Sequence, residues 1–187
     1  NEKPRLAIQV LKSLKKVETI TSRTLAFQFG PLLNAAGRLK DADMAVRFLL
    51  SNEMFEAEEM AQILDSTNVE RREKESDMIQ TALKLADEQK NNPALILVSS
   101  EFHQGVNGIV ATRLVESFYK PVLLLSENEG KLKGSGRSIP ELNLKDVLSD
   151  CSDLLERFGG HAAAAGCSLI RENLEAFRDR FIALCDD

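Results

Sequence analysis

The chain has 187 residues, 43% of them hydrophobic and 28% charged, with a formal net charge of −5. That length allows one full domain or one and a half, and the composition is that of a folded globular protein rather than a disordered one. No apolar run approaches the roughly 20 residues of a membrane span, which argues against a membrane partner. The three cysteines, Cys151, Cys167 and Cys185, are odd in number and lack zinc-type pair spacing, which predicts reduced thiols in a cytoplasmic protein. The opening Asn1-Glu2-Lys3-Pro4-Arg5 is neither a signal peptide nor an initiator methionine, so the sequence reads as a segment of a longer chain. Net acidity argues against a polyanionic partner, but the charge is unevenly spread. Residues 1–40 carry eight Lys/Arg against two Glu, whereas residues 41–92 carry six against thirteen acids. A chain of this kind could grip a polyanion in one cleft only.

In chain order, Leu6, Val10, Leu11 and Leu14 have helical spacing between Pro4 and Lys16. Thr21 or Ser22 caps a second, short helix running toward Phe29, and Gly30-Pro31 reads as its end. Asn34-Ala-Ala-Gly-Arg38 reads as a compact small-residue turn, after which Asp41 caps a helix carrying Met44, Ala45, Phe48 and Leu49 on one side. Residues 53–91 contain neither Gly nor Pro. Two apolar stripes flank an almost wholly polar stretch, Asn68 to Ser76, which predicts one long helix docked at both ends rather than two helices joined by a loop. Ala94–Ser99 and Val122–Ser126 are short apolar runs separated by a Gly-containing loop and a helix from about Gly108 to Tyr119; this is a parallel βαβ pattern. Asn128-Glu129-Gly130 supplies a turn before a third strand, Lys131 to Ser138. Helices between Leu144 and Phe158, a strand near Gly166 to Ile170 and a last helix from Asn173 to Leu184 complete an α/β domain with a mixed sheet.

The chemistry concentrates in three places. His103-Gln-Gly105 lies between the first strand and its helix, at the sheet edge where open α/β folds bind ligands. Ser135-Gly136-Arg137 combines a hydroxyl, a close-approach glycine and a guanidinium whose forked donors fit a phosphate. Gly159-Gly160-His161 adds two more glycines and an imidazole, and the alanines from Ala162 to Ala165 read as packing. Arg38 follows the Ala-Ala-Gly run and is either a helix-end residue or a further phosphate contact. No Ser-His-Asp or Cys-His arrangement can be argued from spacing, and two histidines 58 residues apart offer no local metal pair. The set describes a phosphate grip without a catalytic engine.

Taken in order, Phe27-Gln-Phe-Gly-Pro-Leu-Leu-Asn-Ala-Ala-Gly-Arg-Leu39, His103-Gln-Gly-Val-Asn-Gly-Ile-Val-Ala-Thr-Arg-Leu114, Gly134-Ser-Gly-Arg-Ser138 and Leu154-Leu-Glu-Arg-Phe-Gly-Gly-His161 resemble the RecJ family of bacterial single-stranded-DNA-specific exonucleases in the DHH phosphoesterase superfamily. The resemblance covers essentially the whole chain but only the C-terminal part of that family's catalytic core. It implies that residues 1–50 end a DHH domain, 51–92 form the connecting helix and 93–187 are the DHH-associated domain. It also implies digestion of single-stranded DNA from the 5′ end to mononucleotides in recombination and repair. The Mn²⁺ or Mg²⁺ ions would be held by motifs with no counterpart here, leaving the segment inactive alone.

By the same resemblance Arg38, Ser135, Gly136, Arg137, Gly159, Gly160 and His161 contact or line the site for substrate phosphate. His103 and Gly105 form the neighbouring loop, and His161 is the assisting hydrogen-bond donor. Single-strand-binding protein and a RecQ-type helicase are the implied protein partners. Three positions depart from the family pattern: Leu32 and Asn107 stand where Arg and an aliphatic residue are usual, and Ala163 replaces a commoner Met. Two alternatives stay open. One is a DHH-family phosphodiesterase for oligoribonucleotides or cyclic dinucleotides. The other is a non-catalytic nucleic-acid-binding module like that appended to alanyl-tRNA synthetases. The Asn-Ala-Ala-Gly-Arg and Ser-Gly-Arg motifs favour the exonuclease.

Overall fold

A computed structural model describes residues 4–186, and the chain divides into two compact units, Asn1–Glu73 and Lys74–Asp187. The first unit is helical: α1 (Leu6–Leu14), α2 (Ser22–Thr24), a π-helical turn (Leu25–Phe29), α3 (Gly30–Leu39), α4 (Asp43–Leu50) and the start of α5 (Met54–Glu88). Thr21 caps α2, its hydroxyl accepting the Thr24 N–H at 3.2 Å. Gly30-Pro31 does not end this helix, and Asn34–Arg38 is not a turn. Pro31 stands in the first turn of α3, where its missing N–H is no loss, and the widened π turn just upstream absorbs the register change. Ala35 and Ala36 are then buried helix residues, with Ala36 beside Leu11, Phe29, Leu32, Phe48 and Leu64 in the unit's core. Asp41 Oδ1 accepts the Asp43 N–H at 3.0 Å and opens α4.

The long helix forms as one piece. At 35 residues, α5 is about 52 Å long, with Ala57, Met60, Ala61 and Leu64 in the first unit's core and Met78, Ala82 and Ala86 buried in the second. Between them, residues 69–77 bury no side chain.

The second unit is built on a five-stranded sheet ordered β1-β2-β3-β5-β4, made of β1 (Leu95–Ser99), β2 (Val122–Asn128), β3 (Lys131–Arg137), β4 (Arg157–His161) and β5 (Ala164–Ile170). β1 and β2 pair in parallel through α6 (Gln104–Phe118), as their apolar runs predict, and the other pairings are antiparallel. α6 begins at Gln104, four residues before the expected start. His103 caps it, its Nδ1 accepting the Gly105 N–H at 3.2 Å. The largest departure is β4. Arg157-Phe-Gly-Gly-His161, expected as helix end and loop, is an edge strand; α7 (Leu144–Asp150) and a 3-10 turn (Ser152–Leu154) stop before it. Ala162 and Ala163, expected as packing, are the exposed turn of the β4–β5 hairpin, and of the four alanines only Ala165 is fully buried.

Alternation along the strands gives the sheet two different faces. On one, Ile96, Leu123, Leu125, Leu132, Ala165, Cys167 and Leu169 form a core with α7 and α8 (Leu174–Leu184), completed by Phe177 and Phe181 with ring centroids 5.6 Å apart. α6 covers the other face over β2 and the near side of β3. Within the second unit the helix packed on β5 and β4 is α7, on the core face, which leaves their second face without a helix of this unit among the described residues.

Candidate nucleic-acid interface

The uncovered face is where the second unit's chemistry collects, and strand register explains why. Ser135 pairs with Gly166, which pairs with Gly159; Arg137 pairs with Ala164, which pairs with His161. Directly paired residues point to the same side, so Ser135, Arg137, Gly159 and His161 share one face across three strands. At about 4.8 Å between neighbouring strands, Arg137 and His161 stand about 10 Å apart on either side of Ala164. Small residues floor the space between them: a Cβ on Gly159 would meet nothing within 4 Å. His161 is exposed, while Ser135 and Arg137 are partly buried.

Gly136 and Gly160 alternate to the opposite face. A Cβ on Gly136 would lie 2.8 Å from Leu144 Cδ2 and 3.1 Å from the Val122 carbonyl. Gly160 has φ +140°, and a Cβ there would fall 2.5 Å from both the Ala164 carbonyl oxygen and Ala165 Cα. Both glycines let strands close up beneath the polar face. The β4–β5 turn is held from the side. Ser138 N–H donates to the Ala163 carbonyl at 3.0 Å and Leu144 N–H to the Ala162 carbonyl at 2.9 Å. His161 is thereby fixed relative to the end of β3.

The Arg137 guanidinium lies against α6. Its Nη1 donates to the Gly136 carbonyl at 2.8 Å, and a Cβ on Gly108 would stand 2.8 Å from Nη2. Gly108 is thus a site-shaping residue that sequence spacing did not single out for this role; the signal was present as Gly105 and Gly108 three apart on one helix face. Asn107, next to it, is fully buried and ties α6 to β2: its Nδ2 donates to Ser126 Oγ at 2.8 Å and to the Leu124 carbonyl at 3.3 Å. His103 and Gly105 occupy the start of the same helix, one turn before Gly108, and His103 N–H contacts Met78 Sδ at 3.3 Å. Arg38 lies on α3 of the first unit, outside this set.

No nucleophile stands beside a base here. Among the described residues no three His, Cys, Asp or Glu side chains are grouped to hold a metal ion, so these residues do not fit a metal centre. The three cysteines are free thiols. Burial pushes Cys151 up to about 11 and Cys167 and Cys185 up to about 12, which keeps them protonated and unreactive at neutral pH. Among the described residues no helix is long and apolar enough to cross a membrane.

An α/β unit with a mixed sheet, a Gly-Gly-His edge strand and a Ser-Gly-Arg strand makes up residues 91–187, and the DHHA1 domain profile matches that same span: the chain belongs to the DHHA1 family. Over most of its length it is similar to RecJ proteins. It is 41% identical over 167 residues to the single-stranded-DNA-specific exonuclease RecJ of Bacillus subtilis, an alignment covering 88% of this chain and 21% of that protein. The crystal structure of RecJ in complex with Mg²⁺ from Thermus thermophilus superposes with a TM-score of 0.88 at 32% identity, over 98% of this chain and 29% of that one. A structure of exonuclease RecJ bound to manganese gives 0.85 at 32% identity, over 97% and 46%. The chain therefore spans about a fifth to a half of the length of these relatives.

Proposed function

We propose that this chain is the substrate-binding part of a RecJ-like exonuclease that hydrolyses single-stranded DNA from the 5′ end to mononucleotides in recombination and repair. Residues 1–50 serve as the end of its DHH domain, 51–92 as the connecting helix and 93–187 as the DHH-associated domain. The observation that carries this reading is the register that sets Ser135, Arg137 and His161 around the bare backbone of Gly159 on one uncovered face. Those groups form a cradle for a phosphodiester: a guanidinium held by Gly136 and Gly108, a hydroxyl, and an imidazole on a braced hairpin. Gly136 and Gly160 act through the backbone they permit. His103 and Gly105 border the cradle from α6, and Arg38 supplies a further phosphate contact from the first unit.

The relatives' structures hold Mg²⁺ or manganese. We assign the corresponding ion to residues outside these 187, so the segment alone grips DNA and does not cleave it. Single-strand-binding protein and a RecQ-type helicase are the protein partners this reading names, and the cytoplasm its compartment. Fluorescence anisotropy tests the grip, with one strand carrying a 5′-phosphate, the same strand ending in 5′-hydroxyl, and a duplex. The 5′-phosphorylated single strand should bind tightest, and Arg137→Ala should weaken it about tenfold or more, as expected for a lost charge-assisted contact. Equal binding of wild type and Arg137→Ala would refute the assignment.

A further inference from the structure

The uncovered face extends beyond the residues to which the family resemblance gives a role. Along β3 the side chains on this face are Lys131, Lys133, Ser135 and Arg137. Lys133 pairs with Ser168, and Ser168 pairs with Arg157, so a lysine and an arginine flank one serine just as Arg137 and His161 flank Ala164. Lys131, Lys133 and Arg157 are all exposed. Among the described residues of β3, β5 and β4, no acidic side chain occupies this face, in a chain whose net charge is −5. Two residues along a strand advance about 6.8 Å, so Lys131, Lys133 and Arg137 recur along β3 at the scale of an extended nucleic-acid backbone, with Arg157 and His161 in a second file on β4. Among the described residues of these strands no Phe, Tyr or Trp shares the face; Phe158 alternates to the other side.

We propose that Lys133 with Arg157, and then Lys131, continue the track from the Ser135–Arg137 cradle and bind the next backbone phosphates of single-stranded DNA. Apart from Ile170 beside Lys131, the strip presents cations and small residues with no Phe, Tyr or Trp, so it contacts phosphates and does not read sequence. The side chains of β3 and β4 flank a single lane over β5, which suits one strand. This rests on the proposed single-strand function but concerns residues that reading does not use.

The test is amide chemical-shift mapping of this chain with 5′-phosphorylated dT2 and dT12 raised to millimolar concentration, beside anisotropy on K131Q/K133Q/R157Q. All three residues are exposed, so the variant should melt as wild type does. The 2-mer should move amides near 135–137 and 159–161, and the 12-mer should add those near 131, 133 and 157. The triple variant should lose about tenfold for dT12 and nothing for dT2. Its salt slope should fall by about 2, the value for three single-strand phosphate contacts. A dT12 that leaves 131, 133 and 157 unmoved would overturn the strip, as would an acidic peptide that moves them when dT12 does not. Shifts at 131, 133 and 157 without any at 137 would uphold the strip and overturn the cradle, so the two readings fail separately.

Discussion

The two faces of β3, β5 and β4 are made by the same three strands, and nearly every property separates them. On one, Leu132, Ala165, Cys167 and Leu169 pack into a core with α7 and α8; on the other, Lys133, Ser135, Arg137, Arg157 and His161 stand over glycine and alanine. A two-residue repeat is enough to keep the two apart. The lesson lies in the glycines. Gly136 and Gly160 clear space where strands and helix approach closely, whereas Gly159 clears space where nothing of the chain approaches. Adjacent glycines in one motif therefore differ: one closes the fold, and the other leaves open the space that the proposed function gives to a ligand.

The largest way to break that contrast is Gly160→Ala. Its positive φ and the backbone atoms at 2.5 Å leave the methyl group nowhere to go, so we expect a loss of about 3 kcal/mol or more in urea unfolding. A variant as stable as wild type would remove the structural role. Gly108→Ala acts on the polar face instead. The clash is with the mobile end of Arg137, so the guanidinium should shift while stability holds or rises by up to about 1 kcal/mol through helix propensity. Binding of 5′-phosphorylated single strands should fall about threefold to tenfold, and unchanged binding would show that Arg137 tolerates the shift.

A pH-dependent effect concerns the core face. The folded-state thiols ionise above their ordinary 9.0, at about 11 for Cys151 and about 12 for Cys167 and Cys185. The folded protein keeps protons that the unfolded chain releases, so this contribution is intact below about 9 and is lost as pH rises toward 12. The urea midpoint should drop across that window, and a flat profile would contradict it.

The contrast also explains what could be read from the sequence. The βαβ unit was legible because Ala94–Ser99 and Val122–Ser126 are largely buried on both faces and read as continuous apolar runs. The long helix was legible because nothing between residues 53 and 91 breaks it. β4 was not, because all five of its residues are exposed and two are glycine, so an edge strand carries no apolar alternation to detect. The start of α3 was missed for a different reason: Gly-Pro marks a stop in most contexts, and only the π turn before it makes Pro31 a first-turn residue. Of the candidate site, the residue types were legible but not their sides. The parity that unites Ser135, Arg137, Gly159 and His161 needed β4 to be recognised as a strand.

Gly159→Val tests the central claim most directly, with melting and 5′-phosphorylated single-strand binding read on the same sample. The side chain enters space where nothing stands within 4 Å, on a strand that tolerates β-branched residues, so the melting temperature should stay at the wild-type value. Affinity should fall at least tenfold, because valine fills the open floor beside His161 and across Gly166 from Ser135. Wild-type affinity in a variant of wild-type stability would mean that the uncovered face does not hold the strand.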